Sequence, residues 1–210
     1  MMDMLLGRLW IAADYASLAE TFGLLEGFLH PLEGYALLLL AQHGPGAGAV
    51  VEIGSYMGRS TSFLALGVKR ASRPPVVAVD HFVGSPEHQA GASHESKVLV
   101  AEGTTYKQFL RNLETAGVTE HVRPIRAGSL EAARGWREPI RLLFIDGDHS
   151  YEASREDFAG WSPQVEGSGL VAFHDIGVWP GVTRFYEELL AEGRWREHAK
   201  VRSLRIVGRA

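Results

Sequence analysis

Val50-Val51-Glu52-Ile53-Gly54-Ser55-Tyr56-Met57-Gly58-Arg59-Ser60-Thr61 is the stretch that decides the fold. An apolar run ends there in two glycines four residues apart, and an apolar helix is predicted over residues 62–68. Gly54 permits a tight turn, because a residue without Cβ tolerates a positive φ. Ser60 or Thr61 would cap the helix, whose free N–H groups attract polar or anionic ligand groups. Strand, glycine turn and helix in this order form the first half of a nucleotide-type βαβ unit.

Glu52 precedes the turn and can accept a hydrogen bond from an ammonium or hydroxyl group of a ligand. The spacing Glu-x-Gly-x-x-x-Gly differs from the Gly-x-Gly-x-x-Gly of dinucleotide sites, which disfavours a nicotinamide dehydrogenase. Taken alone, the stretch also fits a tight turn in any α/β protein. The function therefore has to be read from the rest of the chain.

The composition indicates one soluble domain over residues 1–210. A chain of 210 residues that is 46% hydrophobic can bury a full core. The net charge of -4 gives no reason to expect a nucleic acid or an anionic membrane as partner. The longest apolar run, residues 35–41, is too short to cross a bilayer, and the N-terminus lacks signal-peptide features. Because cysteine is absent, thiolate chemistry and disulfides are excluded, and a cytoplasmic location is expected.

The apolar pattern changes its period after the first 45 residues. Residues 1–45 are predicted to be helical, and strand and helix patterns alternate afterwards. This order is typical of an α/β protein with a doubly wound, Rossmann-like, mostly parallel sheet and helices on both faces. Two closing segments, 196–201 and 203–207, are expected to pair antiparallel at the sheet edge and to complete seven strands. The first five predicted strands cover residues 50–53, 75–79, 122–127, 141–145 and 170–173.

Residues 83–105 form a long polar stretch rich in Gly, Ser, His and Glu. The stretch is too long for an ordinary connection between two elements of an α/β unit. It is predicted to form a lid or a partly mobile loop.

Polar residues follow the predicted strands at the points where they end. In open α/β sheets, the carboxyl ends of the strands are where ligands bind, so these residues are expected to share one site. They are the glycine turn, Asp80, Gly128-Ser129, Asp146-x-Asp148-His149 and His174-Asp175.

Asp80 ends the second strand and can accept hydrogen bonds from both ribose hydroxyls of an adenosine-containing ligand. A helix-capping role is the equal alternative for this aspartate. His81 follows it and could pack on an adenine face.

Two strand ends carry groups that suit a divalent ion. Neighbouring parallel strands lie about 4.8 Å apart, so Asp146, Asp148 and His149 can meet His174 and Asp175. Carboxylate and imidazole groups around one point suit Mg²⁺, Mn²⁺ or a softer metal. The alternative is a set of solvated caps and hydrogen bonds. His149 is alternatively a general base, because an ordinary histidine pKa of about 6.5 suits removing a proton at neutral pH.

Together these residues resemble the class I S-adenosylmethionine-dependent methyltransferases. More narrowly, the chain is similar to the small-molecule O-methyltransferase group that includes macrolide-sugar and novobiocin methyltransferases and cephalosporin-hydroxylase-related proteins. The resemblance covers residues 33–185. Its most specific parts are the stretch 50–61, Phe-Ile-Asp-Gly-Asp-His-Ser-Tyr at 144–151 and Val-Ala-Phe-His-Asp-Ile at 171–176.

The resemblance implies a role for each matching position. Asp80 would bind the ribose, His149 would be the base, and a metal would lie between Asp146, His174 and Asp175. His174 departs from the family pattern, which has an acid there, and this weakens the case for Mg²⁺. The remaining cofactor-binding positions would be Glu52, Gly54, Ser55 and Gly58 at the methionine end, and Gly128 and Ser129 at the adenine, with His81 nearby.

The reaction implied by the resemblance is transfer of a methyl group from a sulfonium to the oxygen of a small-molecule acceptor, in a protein that often forms homodimers. Three alternatives remain open from the residues. One is a methyltransferase without a metal or acting on nitrogen. The others are a metal-dependent hydrolase or hydroxylase-associated protein, and a non-catalytic module that binds an adenosyl ligand on the same fold.

Overall fold

Seven strands and eight α-helices alternate along the chain in a computed structural model that describes residues 2–210, with side chains from residue 10 onward. The strands are β1 (Ala49–Ile53), β2 (Val76–Asp80), β3 (Val122–Arg126), β4 (Ile140–Ile145), β5 (Val165–Phe173), β6 (Trp195–Val201) and β7 (Leu204–Arg209). The helices are α1 (Met2–Phe22), α2 (Pro31–His43), α3 (Arg59–Arg70), α4 (Lys97–Glu102), α5 (Tyr106–Thr115), α6 (Ser129–Gly135), α7 (Tyr151–Trp161) and α8 (Pro180–Ala191).

All seven strands form one sheet in the order β3-β2-β1-β4-β5-β7-β6. The first five strands along the chain pair in parallel, while β7 runs antiparallel to both β5 and β6. The doubly wound, Rossmann-like α/β fold is confirmed, and so is the antiparallel pairing of the two closing segments. The last strand inserts between β5 and β6, which leaves β6 as the edge strand.

The sheet is covered on both faces, because alternate residues of its inner strands enter two separate cores. Val50 belongs to the core formed with α2, α3 and α5, which includes Leu37 and Phe63. Val51 belongs to the other core, where Trp161 of α7 and Phe185 of α8 pack. All six residues of β4, which are apolar except for Arg141, are buried for this reason.

The N-terminal helices extend the first of these cores. His30 caps α2 by accepting the backbone N–H of Leu32 at its Nδ1, and Glu33 Oε2 accepts the backbone N–H of His30. At the other end of α2, the buried Arg141 of β4 donates to the carbonyls of Ala41 and Gly44. The C-terminal end of α2 is therefore fixed to β4, while its N-terminal end is closed by a local capping box.

The start of α3 differs from the prediction. The helix begins at Arg59 after Gly58, which has φ 83° and offers no side-chain cap. The hydroxyl of Thr61, expected to cap the helix, donates to Glu52 at 2.5 Å. Since Ser60 and Thr61 already lie inside the helix, the prediction that one of them caps it was wrong.

The segment 83–105 contains a short 3-10 helix, Pro86–His88, and the helix α4. Its first part is held by Gln89, whose side chain donates to the carbonyls of Val83, Gly84 and Ser85. Within residues 2–210, none of the helices is both long enough and apolar enough to cross a membrane.

Candidate functional site

A cavity of about 380 Å³ lies at the carboxyl ends of β1, β2, β4 and β5, bordered by the 83–105 segment and by residues 27–29. Most residues that the sequence singled out line this cavity, namely Gly54, Ser55, Asp80, His81, Ser129, Asp146, Asp148, His149, His174 and Asp175. Glu52, Gly58 and Gly128 do not line it. We call the part at Gly54, Ser55, Asp80 and Ser129 the cofactor side, and the part at Asp146, His149, His174 and Asp175 the catalytic side.

The glycine turn on the cofactor side is fixed by its contact with β4. Gly54 has φ 84°, and a Cβ there would overlap the carbonyl oxygen of Asp146. Gly58 also has a positive φ, and a Cβ there would lie 2.9 Å from the ring of Phe109. Both glycines are required by the backbone, so the pair is a structural condition for the cavity.

Asp80 fastens the turn to the end of β2. Its Oδ2 accepts the backbone N–H groups of Ser55 and Tyr56 at 2.9 and 2.7 Å, and its Oδ1 accepts that of Phe82 at 2.5 Å. These donors belong to loops, so Asp80 does not cap a helix. The carboxylate also lines the cavity, where its remaining lone pairs can accept hydrogen bonds from a ligand.

Glu52 lies behind the turn, completely buried. Its Oε2 accepts the hydroxyls of Ser55 at 2.8 Å and Thr61 at 2.5 Å, while its Oε1 has no partner within the described part of the chain. Burial, only partly offset by these hydrogen bonds, raises the pKa of Glu52 to about 7. In this arrangement the glutamate ties the turn to α3, and a direct contact with a ligand ammonium would need movement of the turn.

Asp157 of α7 is a buried cavity residue that the sequence reasoning missed. Burial raises its pKa to about 6. Near it on the cofactor side, Ser129 accepts the indole N–H of Trp161 at 3.0 Å. Helical spacing in the sequence could have identified it, because Asp157 lies three residues after Ser154 and four before Trp161, on the buried face of α7.

His149 is the centre of the catalytic side. Its Nε2 lies 3.1 Å from Asp175 Oδ2 and 3.9 Å from Asp146 Oδ1, while its Nδ1 donates to Glu87 Oε1 at 2.9 Å. The ring stacks on Trp179 with centroids 4.9 Å apart. Burial disfavours the charged imidazole, but the hydrogen bonds and charges of Asp146 and Asp175 outweigh it and raise the pKa of His149 to about 10. Glu87, from the 83–105 segment, was not predicted.

His174 is 6% exposed and lies between carboxylates on both sides of its ring. Its Nδ1 lies 3.0 Å from Asp146 Oδ1, and its Nε2 lies 3.3 Å from Glu33 Oε2. Burial opposes its charge, yet Asp146, Asp175 and Glu33 raise the pKa of His174 to about 12. The imidazolium therefore neutralises acids that would otherwise be costly to bury.

Glu33 is the third functional residue that sequence reasoning did not find, after Asp157 and Glu87. It is buried at the first turn of α2, and its Oε1 accepts both the backbone N–H and the hydroxyl of Ser203 at 2.8 Å. Burial would raise its pKa, but hydrogen bonds from His174 and Ser203 lower it to about 2. A separation of 141 residues between Glu33 and His174 left no local sequence signal of this contact.

The metal site predicted at Asp146, His174 and Asp175 falls within this group of side chains. Asp146, His149 and Asp175 each offer a ligand atom, and these atoms lie within 4.8 Å of one another. His174, the predicted third ligand, instead directs both ring nitrogens at carboxylates within the buried network. Asp148 accepts the backbone N–H of Ser150 at 2.8 Å, the local turn contact that was its simpler interpretation. The two carboxylates fit Mg²⁺, which commonly uses one or two of them.

Known proteins resemble this chain in sequence and in fold. Residues 51–176, more than half of the chain, match a family model described as a methyltransferase domain. The O-methyltransferase NovP superposes with a TM-score of 0.62 at 18% identity, covering 85% of this chain and 78% of that chain. CalS11, a calicheamicin methyltransferase, gives 0.63 at 17% identity, with 84% and 77% covered.

An O-methyltransferase from Bacillus cereus, solved in complex with SAH (S-adenosylhomocysteine), gives a TM-score of 0.62 at 18% identity and covers 95% of this chain and 90% of that chain. At these identities the likeness to solved structures concerns the fold. The family match is independent of it and spans the glycine turn, Asp80 and the catalytic side. The chain belongs to the methyltransferase domain family and is a class I S-adenosylmethionine-dependent methyltransferase.

Proposed function

We propose that this methyltransferase acts on a hydroxyl oxygen of a small molecule, with His149 as general base and a divalent ion assisting. The observation that carries the proposal is the convergence of His149, Asp146 and Asp175 on one wall of the cavity. Oxygen as the acceptor atom is supported by the neighbours, since NovP and the Bacillus cereus protein are described as O-methyltransferases and CalS11 as a TDP-rhamnose 3'-O-methyltransferase.

The cofactor is proposed to lie along the cofactor side. The methionine end would contact Gly54 and Ser55, the ribose hydroxyls would donate to Asp80, and the adenine would lie between His81 and Ser129. Glu52, Gly58 and Gly128 would act from behind the cavity wall by fixing the loops that bind it. The high number of carboxylates around the cavity supports a cationic sulfonium ligand.

The chemistry assigned to the protein is positioning and proton transfer. The acceptor oxygen and the methyl carbon must be held about 3 Å apart for an in-line displacement. The charges of Asp146 and Asp175 favour the imidazolium form of His149. A divalent ion bound to these two carboxylates would oppose that effect and favour the neutral imidazole, which would take the hydroxyl proton at Nε2. Because an imidazole cannot ligate a metal and accept a proton through the same atom, the ion would be held by Asp146 and Asp175. Bound there, it would lower the pKa of the acceptor hydroxyl.

Other parts of the proposal concern the surroundings of the reaction. We propose that the 83–105 segment is a lid, which the contact between Glu87 and His149 supports. We also propose a cytoplasmic protein that has a small-molecule acceptor and can form homo-oligomers, with neither nucleic acid nor membrane as partner.

The test is methyl transfer from a cofactor carrying a ¹³C-labelled methyl group to a panel of small compounds that carry both a hydroxyl and an amino group. The reaction is run with Mg²⁺, with Mn²⁺ and after chelation, and the product is read by NMR, which separates O-methyl from N-methyl groups. We expect an O-methyl product whose rate falls about tenfold or more on chelation. An N-methyl product would overturn the hydroxyl acceptor, and an unchanged rate after chelation would overturn metal assistance.

A further inference from the structure

Aromatic rings form a continuous wall along the cavity, from the glycine turn to the catalytic side. We call Tyr56, His88, Phe28, His94 and Trp179 the ring wall. Neighbouring ring centroids along it lie 4.7, 5.5, 5.8 and 5.6 Å apart in that order. The wall ends on His149, which stacks on Trp179. Its members come from four separate segments of the chain, so the tertiary fold assembles it.

Part of this wall is exposed in a way that a folded protein normally avoids. Phe28 is 60% exposed and the adjoining Val178 is 63% exposed, although both line the cavity. Leaving apolar surface in water forgoes about 25 cal/mol per Å². A cluster of exposed apolar residues at the rim of a cavity is typical of a ligand-binding surface.

The charges around the cavity are unfavourable to an anionic acceptor. Among residues 10–210, Arg59 is the one Arg or Lys side chain that lines the cavity, whereas six carboxylates line it. Arg59 is already engaged, since its guanidinium donates to the backbone carbonyls of Leu25, Leu29 and Gly23 at 2.6, 2.9 and 3.0 Å. The imidazoles of His149 and His174 are each held between carboxylates. Even with a divalent ion on Asp146 and Asp175, four of the six carboxylates remain. A phosphate or carboxylate would therefore meet repulsion there without a free side-chain cation to compensate.

We propose that the acceptor is an uncharged, planar phenol-type compound that stacks on the ring wall and presents its hydroxyl to His149. This inference rests on the proposed transfer to oxygen. In the step, the phenol O–H bond gives its proton to His149 Nε2 and the oxygen lone pair forms the new bond to the methyl carbon. The bond from methyl carbon to sulfur breaks with its electron pair on sulfur, so the sulfonium leaves as a neutral thioether.

An acidic acceptor would need the adjoining cavity instead. That cavity, of about 810 Å³, shares His174, Asp175 and Phe28 with the first and is lined by Arg202 and Arg205. Arg205 donates to the carbonyls of Arg202 and Leu204, which leaves the exposed Arg202 as the cation that could meet an acid. Arg202 is therefore the residue whose replacement separates the two acceptor classes.

The experiment compares four ligands by calorimetric titration into the full chain saturated with SAH. 4-Methylphenol is neutral and aromatic, 4-hydroxybenzoate adds a carboxylate, and 4-methylcyclohexanol removes the aromatic ring. A nucleoside-diphosphate sugar is the fourth ligand. We expect 4-methylphenol to bind at least about tenfold more tightly than the others. Phe28→Ala should remove this preference, whereas Arg202→Ala should leave it unchanged. Unaltered SAH affinity in both variants shows that they are folded.

Tighter binding of 4-hydroxybenzoate or of the nucleotide sugar would overturn the inference, and most clearly if Arg202→Ala abolished it. Binding of none of the four, or equal binding of 4-methylphenol and 4-methylcyclohexanol, would overturn it too. Methyl transfer to 4-methylphenol is measured separately under the same conditions. If the phenol binds on the ring wall but is never methylated, the transfer to oxygen fails while the assigned ligand class stands.

Discussion

The cofactor side and the catalytic side of the cavity are built in opposite ways. On the cofactor side, Asp80 reaches the backbone of Ser55 and Tyr56 across 25 and 24 residues, within one strand–turn–helix–strand unit. On the catalytic side, Glu33 reaches His174 across 141 residues and Ser203 across 170. The first side depends on backbone geometry, and the second on a network of buried charges. Substitutions on the cofactor side should therefore lower the affinity for the cofactor, whereas substitutions on the catalytic side should lower kcat.

His149→Gln should give the largest effect. Glutamine keeps a polar group on Trp179 but cannot take a proton, so kcat should fall by about 10² to 10⁴-fold. The SAH affinity should stay within about twofold, since His149 does not hold the glycine turn. Turnover is measured with the best acceptor and affinity by calorimetry.

The control for this prediction is His198→Gln, on the exposed face of the edge strand β6, which should leave both quantities unchanged. Full turnover in the His149 variant would mean that the general base is another group.

Asp80→Ala should give the next largest effect, this time on binding. The change removes the acceptor for the ribose and leaves the N–H groups of Ser55 and Tyr56 without their partner. Loss of these charge-assisted hydrogen bonds should weaken SAH by about 100-fold, or about 2.7 kcal/mol. Asp14→Ala is the matched control, because Asp14 pairs with Arg70 at the surface. Equal SAH affinity in the two variants would refute the role of Asp80.

The contrast between local contacts on the cofactor side and long-range contacts on the catalytic side explains which features could be predicted from the sequence. The turn at Gly54 and Gly58 and the alternating strands are encoded by residues next to one another, so spacing and period were sufficient. The strand-end rule then brought Asp80, Asp146 and Asp175 to one cavity, because parallel strands end on the same edge of a sheet.

Contacts between distant segments could not be predicted. Glu33 carries the pattern of a helix-capping glutamate, and it does form that bond, yet the same carboxylate also holds His174. Glu87 meets His149 across 62 residues, through a segment whose sequence has no periodic pattern. His174 was assigned to a metal because it lies with Asp175 at a strand end and matches the position of a metal-binding acid in the resembling family. The carboxylate that occupies its other nitrogen comes from the N-terminal helices, outside the family's matching region.

Glu33→Gln tests whether the buried charges of the catalytic side support turnover. Its effect should be smaller than those of His149→Gln and Asp80→Ala. Glutamine retains the shape but loses the charge that pairs with His174, so Asp146 and Asp175 should be held less firmly. We expect kcat to fall about tenfold with the KM for S-adenosylmethionine unchanged. The NMR titration of the His174 ring should move to lower pH, because the charged partner is gone.

Ser203→Ala is the control for Glu33, since it removes the hydroxyl bond to Oε1 and leaves the His174 contact in place. It should affect the free energy of unfolding more than kcat. A loss of kcat equal to that of Glu33→Gln, with no shift of the His174 titration, would assign Glu33 a structural role alone.

The smallest effect on function is expected for Glu52→Gln, although its effect on stability should be clear. The folded-state pKa of about 7 is above the ordinary value of 4.5, so the folded protein binds an extra proton between these two pH values. The stability associated with this group is therefore fully present below pH 4.5 and is lost as the pH rises through 7.

Glutamine resembles the protonated glutamate and does not titrate. The variant should thus be more stable than the wild type at pH 8 by about 1–3 kcal/mol and similar to it at pH 4. Chemical denaturation at the two pH values measures this difference, and SAH affinity within about twofold of the wild type would show that Glu52 supports the turn from behind. A large loss of SAH affinity at unchanged stability would instead mean that the turn opens to let Glu52 bind the cofactor directly, and the cofactor side would then depend on a buried charge as the catalytic side does.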